Sequence, residues 1–231
     1  MSAAVPGKLI GRGRRADIYD LGGGKVLRRY REGPREVDRE AEVMIHAAAH
    51  GVPVPEVFEV RGTTDLVMEA VSGPTMLADL TRRPWTIFSH ARTLRRLHQA
   101  VHAVEGLAWL RGPFGPGGSL LHLDLHPENV VMTGAGPKII DWEGAAKGPP
   151  DADVALTWIL MRFSEIPGAA LQRVMGRLGQ ALFSQLFLAG ASPRPTSEWL
   201  VAAAEFRMAD PTVTRRESER LAEFARHRQR T

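Results

Sequence analysis

The sequence predicts an α+β protein in two lobes, a small antiparallel sheet with one main helix followed by a larger, mostly helical part. Two observations support this fold class. Short apolar runs separated by glycine-rich turns fill about the first seventy residues, whereas apolar residues at helical spacing dominate most of the remainder. The change occurs near Ser72-Gly73-Pro74, so we expect one lobe over 1–71 and the other over 72–231.

The first lobe is predicted to hold two pairs of strands around one helix. Leu9 to Tyr19 and Lys25 to Tyr30 form the first pair, because the clustered glycines between them are typical of a tight turn. Gly33-Pro34 is expected to open the helix, since proline is favoured in a first helical turn, and Gly51 is expected to close it. The second pair of strands is expected at 56–61 and 66–70.

The second lobe shows mainly the 3.6-residue spacing of helices. Helices are predicted at about 75–80, 86–103, 152–163, 168–189, 196–207 and 214–228. One region departs from this pattern: 129–132 and 138–141 are expected to pair as a β-hairpin, preceded by an extended segment over 120–126. Polar residues concentrate in this non-helical region, which is where a rigid scaffold commonly carries its functional groups.

Composition excludes several kinds of chemistry. The chain has 231 residues, of which 44% are apolar and 24% charged, as expected for a globular protein. It contains no cysteine, so a disulfide framework, a cysteine-ligated zinc site, an iron–sulfur cluster and a thiol nucleophile are all excluded. Any metal site must therefore use oxygen or nitrogen ligands.

The basic balance of the chain raises the alternative of a nucleic-acid binder. The net charge is +4 and the pI is about 9.9, with arginine supplying nearly all of the base. These arginines alternate with acids, as in Arg35 to Glu40 and Arg215 to Arg220, which is typical of ion-paired helix surfaces. We expect no nucleic-acid partner.

The beginning of the chain and its apolar runs bear on localisation. Met1 to Lys8 lacks the apolar core of a secretory signal, and the longest apolar stretch, near 155–161, is short of the roughly 20 residues of a membrane span. We expect a cytoplasmic protein without a membrane partner; its oligomeric state cannot be predicted.

Two polar motifs flank the predicted hairpin. The first is His122-Leu-Asp-Leu-His-Pro-Glu-Asn129, and the second is Ile139-Ile-Asp-Trp-Glu143. An aspartate five residues before an asparagine, with another aspartate at the far end of a hairpin, is typical of Mg²⁺-dependent phosphoryl transfer. Asp124 would accept the proton of an attacking hydroxyl, and Asn129 and Asp141 would offer oxygen ligands to Mg²⁺.

The same histidines allow another interpretation. In an extended segment, His122, Asp124 and His126 would point to one face, where they could hold zinc for hydrolysis. Pro127 and Asn129 fit the phosphoryl-transfer motif better, and no other cluster close in sequence supplies the remaining zinc ligands.

These motifs resemble those of the aminoglycoside phosphotransferase and choline kinase family, small-molecule kinases with a protein-kinase-like fold. The resemblance covers about residues 9–160 and rests on the two polar motifs, the 66–73 stretch, Glu40 and Asp153. It implies an ATP-dependent O-phosphotransferase that acts on a hydroxylated small molecule, with Mg²⁺ and with ATP or GTP as phosphoryl donor.

The resemblance also implies roles for individual residues. Arg28 would contact the nucleotide phosphates and pair with Glu40; strand alternation independently places Arg28 on the same face as Val26. Asp153 would brace the loop that carries Asp124 without touching substrate. Glycines 11 and 13, with arginines 12, 14 and 15 beside them, would cover the phosphates, the backbones of Glu69 and Val71 would meet the adenine, and His122 and His126 would support the site.

Two departures from the family pattern favour an alternative function. Arg28 occupies a position where many kinases have lysine, and Ala16 stands where a third glycine is common. A nucleotide-binding regulatory protein with weak or no turnover is therefore the second hypothesis. The acceptor could be an antibiotic, an amino alcohol, a sugar or another metabolite.

Overall fold

The computed structural model describes residues 7–13, 15–31, 37–165 and 170–229, with the backbone alone for 170–175. Arg14 and the predicted helix start at Gly33-Pro34 lie outside these ranges. The strands are β1 (Lys8–Arg12), β2 (Ala16–Gly22), β3 (Lys25–Tyr30), β4 (Val57–Arg61), β5 (Asp65–Glu69), β6 (Ser119–Leu121), β7 (Val130–Thr133), β8 (Gly136–Ile139) and β9 (Ala146–Gly148). The helices are α1 (Val37–Ala49), α2 (Met76–Arg82), α3 (Ile87–His102), α4 (Pro150–Phe163), α5 (Ala170–Ala189), α6 (Ser197–Met208) and α7 (Arg215–Arg228). The predicted α+β class is confirmed.

An antiparallel sheet of five strands, in the order β1-β2-β3-β5-β4, forms the N-terminal part. The prediction of a single strand from Leu9 to Tyr19 was wrong, because this segment folds back on itself. The N–H of Gly13 donates to the carbonyl of Ala16 at 2.8 Å, and Leu9 consequently pairs with Tyr19 across the new hairpin. The described order is therefore β-β-β-α-β-β, and Arg28 lies on the third strand.

Helix α1 buries the apolar face that its spacing predicts. Val37, Ala41 and Met44 are each about 2% exposed, and their i, i+4, i+7 spacing places them on one side of the helix. The helix ends before Gly51, whose φ of 80° is a left-handed conformation that glycine adopts without a steric penalty.

The β7–β8 hairpin belongs to the same compact unit as this sheet, which comprises Met1–Pro74 and Val131–Glu143. The N–H of Ile139 donates to the carbonyl of Pro53 at 2.7 Å, and the N–H of Met132 donates to the carbonyl of Pro74 at 2.8 Å. A Cβ at Gly73 would lie 2.2 Å from the Met132 carbonyl oxygen, so this close backbone approach requires glycine.

The second compact unit comprises Thr75–Val130 and Gly144–Thr231 and is mostly helical. Its core forms around α4, which is buried on nearly every side and is accordingly apolar nearly all round. Pro150 begins this helix at a position where its missing N–H costs nothing. The cluster around α4 includes Leu156, Ile159, Phe163, Leu188, Leu200 and Leu221.

A short β6–β9 pair, with Leu121 opposite Ala146, connects the beginning of the loop 122–129 to the segment that follows the hairpin. Strand β9, whose three residues include a glycine, was not predicted from the sequence. No helix in the described portion of the chain combines the length and the apolar character needed to cross a membrane.

Candidate active site

Arg28 bridges two carboxylates in the first unit. Its Nη1 donates to Glu40 Oε1 at 2.8 Å, and its Nη2 donates to Asp141 Oδ1 at 2.8 Å. The Arg28 and Glu40 side chains are only 13% and 3% exposed, whereas that of Asp141 is 43% exposed. The planar fork of arginine thus joins a buried acid on α1 to an accessible acid just after β8.

Burial decides the electrostatics of this cluster. Removal from water raises the pKa of Glu40 above its usual value, although Arg28 and a hydrogen bond from Tyr30 oppose the shift. Burial also raises the pKa of Tyr30 well above its ordinary value, so its hydroxyl keeps its proton and donates to Glu40 Oε2. Sequence reasoning missed Tyr30, yet strand alternation places it on the same face as Arg28.

Asp141 has an unusual backbone conformation. Its φ of 67° lies in the left-handed region, which is uncommon for residues other than glycine, asparagine and aspartate. The bond from Arg28 holds this side chain, and Trp142, which is 1% exposed, anchors the next residue in the core. Strained backbone that its surroundings hold in place is frequent at functional sites.

The glycine-containing segment lies at the β1–β2 turn. Gly11 belongs to β1, and a Cβ at Gly13 would approach the Ala16 carbonyl oxygen to 3.1 Å. Arg15 donates to Glu143 Oε1 at 2.6 Å, so this arginine contacts the last residue of the second polar motif. Arg12 is exposed.

The end of β5 carries the residues predicted to meet adenine. The N–H of Glu69 donates to the Glu56 carbonyl at 2.8 Å, so the Glu69 carbonyl is the group that it could offer to a nucleotide base. Its carboxylate accepts from Lys138, which sequence reasoning did not identify. Burial opposes ionisation of Glu69, but Lys138 and the N–H of Glu56 hold its pKa below the usual value. Val71 follows this strand and is partly buried.

In the second unit, Asp124, His126 and Asn129 form one cluster. Asn129 Nδ2 donates to Asp124 Oδ2 at 2.8 Å and to the Asp124 carbonyl at 2.9 Å, and His126 Nε2 lies 3.3 Å from Asp124 Oδ1. Burial opposes ionisation of Asp124, but His126, His122 and Asn129 together lower its pKa below the ordinary value. An ionised carboxylate that is 44% exposed can accept a hydrogen bond or a proton from a bound molecule.

The loop 122–129, hereafter the Asp124 loop, orients these groups through its own backbone. The N–H of Asp124 donates to His122 Nδ1 at 3.2 Å, and the N–H of Glu128 donates to His126 Nδ1 at 3.3 Å. Because Nδ1 of His126 accepts, its Nε2 carries the proton that faces Asp124.

The zinc array considered in the sequence analysis does not form. Leu123 has a φ of 61°, so the segment is not extended and the alternation that would align His122, Asp124 and His126 is broken. In the part of the chain that the structure describes, the side chains that come close enough to share a metal are a different set: His98, His102 and Asp153.

Asp153 lies at the start of α4 and is fully buried. It accepts hydrogen bonds from the backbone N–H groups of Leu123 at 2.8 Å and His122 at 3.3 Å. This carboxylate therefore contacts the Asp124 loop directly and lies away from solvent.

Comparison with known proteins adds to this geometry. A model of the phosphotransferase enzyme family (APH) matches residues 7–117 and 109–190. The thiamine kinase of Salmonella paratyphi B (strain ATCC BAA-1250 / SPB7) is 44% identical over 87 residues, which are 36% of this chain and 29% of that kinase. The matched segment thus spans under a third of the length of the curated relative.

Solved structures share the fold at low sequence identity. A choline/ethanolamine kinase family protein from Mesorhizobium loti has a TM-score of 0.59 and 16% identity, over 99% of this chain and 89% of that one. The amicoumacin kinase hAmiN, solved with AMP-PNP, Ca²⁺ and Ami, has a TM-score of 0.55 and 16% identity, over 96% and 87%. Because the family model covers most of the sequence, the chain belongs to the phosphotransferase enzyme family.

Proposed function

We propose that this protein is a small-molecule kinase that transfers the γ-phosphoryl group of ATP or GTP to a hydroxyl of its acceptor. The observation that carries the proposal is the Asp124 carboxylate, which is ionised, accessible and held by Asn129 and His126. Membership of the phosphotransferase family and the kinase names of its relatives support the same reaction class.

Asp124 serves as the base in this proposal. Its carboxylate accepts the proton of the acceptor hydroxyl as the acceptor oxygen bonds to the γ-phosphorus, while the bond from that phosphorus to the β–γ bridging oxygen breaks and the nucleoside diphosphate leaves. Asn129 fixes the carboxylate by donating to its Oδ2, and His126 faces the other oxygen.

Asn129 and Asp141 are the proposed ligands for Mg²⁺. Their chemistry fits this ion, because a hard cation prefers carboxylate and amide oxygens, and the chain contains no cysteine that would favour a softer metal. Since the Nδ2 of Asn129 donates to Asp124, its amide oxygen is the atom that would coordinate. When bound, the ion would neutralise charge on the transferring phosphoryl group.

Arg28 and the glycine segment are assigned to the nucleotide. Arg28, paired with Glu40, contacts the phosphates as a two-pronged donor, and Gly11 and Gly13 allow the backbone to approach them. The carbonyl of Glu69 and the backbone of Val71 receive the base. We assign nucleotide binding to the lobe 1–71 and acceptor binding to the lobe 72–231.

The acceptor is proposed to be a hydroxylated small molecule, such as an antibiotic, an amino alcohol, a sugar or another metabolite. Thiamine kinase, choline/ethanolamine kinase and amicoumacin kinase are the names of the relatives, so their named substrates are the first to test. The net charge of +4 disfavours a polycationic acceptor.

A regulatory protein with little turnover is the second candidate. One observation favours it: Arg28 already bonds both Glu40 and Asp141, so a nucleotide must compete with two carboxylates for its guanidinium. Such a protein would be stabilised by nucleotide without forming a phosphorylated product.

An acceptor screen tests the proposed function. The protein is incubated with Mg²⁺, ATP or GTP and a panel of hydroxylated compounds, and products are detected by mass spectrometry as the addition of one phosphoryl group. Formation of one such product, dependent on Mg²⁺ and absent with the Asp124→Asn variant, supports the proposal that the protein is a small-molecule kinase. Nucleotide-dependent thermal stabilisation without any product across the panel would favour the regulatory protein.

A further inference from the structure

Helix α3 presents two histidines at its C-terminal end, of which His98 is buried and His102 is partly buried. His98 and His102 lie one helical turn apart and therefore on the same face, with ring centroids 5.3 Å apart. The His98 residue is 2% exposed and the His102 side chain 7% exposed. His98 also packs against the ring of Phe187 on α5, with centroids 5.3 Å apart. Polar rings buried so completely require a polar partner.

Both rings face the carboxylate of Asp153. His102 Nε2 lies 2.8 Å from Asp153 Oδ2, and because a carboxylate only accepts, this ring nitrogen carries the proton. His98 Nδ1 lies 3.6 Å from the same oxygen, beyond hydrogen-bonding distance. His102 is thus the side chain that donates to Asp153, and His98 lines the site beside it.

The histidines keep Asp153 charged in a buried position. Burial alone would raise the pKa of Asp153, yet the hydrogen bond from His102 and the nearby His98 hold it well below the usual value. Burial lowers the pKa of His98 itself, so that ring is neutral although the carboxylate opposes the shift. An ionised buried carboxylate accepts stronger hydrogen bonds than a neutral acid.

The remaining bonds of Asp153 lead to the Asp124 loop. Its Oδ1 accepts a hydrogen bond from the N–H of Leu123 at 2.8 Å. Its Oδ2 accepts one from the N–H of His122 at 3.3 Å. Leu123 is left-handed, with a φ of 61°, a conformation in which the Cβ of an L-residue crowds the following carbonyl oxygen. The surroundings must hold this residue in place, and Leu123 immediately precedes Asp124.

We propose that His102 is a positioning residue for phosphoryl transfer: by donating to Asp153, it fixes the carboxylate that holds Leu123 and therefore the direction of Asp124. This inference rests on the proposed role of Asp124, and His102 does not itself touch substrate. The coupling runs from α3 through the first turn of α4 to the loop, over two hydrogen bonds of 2.8 Å each and the peptide bond between Leu123 and Asp124.

A metal ion shared by His98, His102 and Asp153 is the competing explanation, because their ligand atoms lie within 4.8 Å of one another. The hydrogen bonds favour our inference. Asp153 already accepts from His102, Leu123 and His122, and a structural zinc site requires four protein ligands.

Two variants and a matched control separate positioning from general stability. His102→Ala removes the donor, whereas in His102→Gln the amide Nε2 can replace the imidazole Nε2 and donate to Asp153. His50→Ala serves as the control, because His50 is exposed at the end of α1. Hydrogen exchange of a peptide covering 119–126 is measured for each protein, together with kcat and the KM for nucleotide.

In His102→Ala we expect exchange at Leu123 and His122 to accelerate on the order of tenfold, since an opened loop exposes these N–H groups. The same variant should lower kcat by on the order of tenfold and change the nucleotide KM by less than about twofold, because misdirection of a base slows chemistry. His102→Gln should restore most of the wild-type protection from exchange and most of the wild-type kcat. His50→Ala should match the wild type in both measurements.

Several outcomes would overturn the inference. In His102→Ala, these are an unchanged exchange rate over 119–126, or an equal acceleration of exchange over α4 to α7, which would report general unfolding. In His102→Gln, it is an exchange rate and a kcat changed as much as in His102→Ala. Stoichiometric metal in the purified wild-type protein would also overturn the inference. If the wild type phosphorylates no acceptor, the proposed function fails, whereas the exchange data still decide whether His102 holds the loop.

Discussion

At the scale of single residues, Arg28 pairs with two carboxylates, of which one is buried. It neutralises Glu40, which is 5% exposed, and restrains Asp141, whose backbone is left-handed. An unpaired charge at such depth is costly, because its hydration is lost without compensation. Arg28 stays protonated: burial alone would lower its pKa, but the carboxylates of Glu40 and Asp141 raise it.

Replacement of Arg28 by methionine should therefore destabilise the protein. We expect a loss of about 3 kcal/mol, the cost of breaking a buried ion pair, and a fall in Tm of about 8 °C by calorimetry. The control is Arg61→Met, because the Arg61–Glu59 pair is on the surface, with side chains 45% and 52% exposed. Equal Tm values for the two variants would show that Arg28 does not stabilise the buried acid.

Residue identity alone could predict part of this site. The pairing of Arg28 with Glu40, which the structure contains, was predicted from the family resemblance with support from strand alternation, and Asp124 was predicted as a site residue from its motif. Leu123 could not be identified, because leucine seldom adopts a positive φ and only its bond to Asp153 shows why it does so here. Tyr30 and Lys138 were missed because a strand position alone does not specify its partner across the fold.

At the scale of elements, helical spacing predicted more than strand pattern did. Within the described residues, the helices after residue 74 begin and end within two residues of their predicted limits, and the predicted helix start at 168 lies outside those residues. The first strands were mispredicted because Gly13 is the single glycine between the end of β1 at Arg12 and the start of β2 at Ala16, so the sequence of this hairpin resembled one long strand. The pair β6–β9 depends on partners far apart in sequence, which periodicity cannot reveal.

Helix α3 should make stability depend on pH through His98. The folded pKa of this buried ring is lowered from its ordinary value of 6.5, so below that pH the unfolded chain binds the extra proton. Stability contributed by neutral His98 is present above about pH 6.5 and is lost as the pH falls toward the lowered folded pKa, with a slope of at most about 1.4 kcal/mol per pH unit.

Urea unfolding at several pH values between 7 and 5 measures this slope. His98→Gln, which does not titrate, should lose less stability on acidification than the wild type. His50→Gln, altered at an exposed position, should retain the wild-type slope. Identical slopes in wild type and His98→Gln would contradict a neutral, buried His98.

At the scale of the whole molecule, the α+β architecture follows from the change of pattern near residue 72, and the structure distributes the predicted site residues over both compact units. Arg28, Glu40 and Asp141 lie in the unit with the sheet and hairpin. Asp124, Asn129 and Asp153 lie in the helical unit. The acceptor could not be predicted, because no acidic run or other charge pattern in the sequence after residue 160 specifies a class of ligand.

The central claim is that Asp124 is the base of a phosphoryl transfer. Its most direct test compares wild type with Asp124→Asn, a substitution that preserves shape and removes the proton acceptor. Calorimetric titration measures Mg-ATP binding, and transfer to the acceptor found in the screen is measured with radiolabelled ATP. We predict a Kd within about twofold of the wild type and a transfer rate lower by about 10²–10⁴-fold. Transfer at the wild-type rate by Asp124→Asn would contradict the claim.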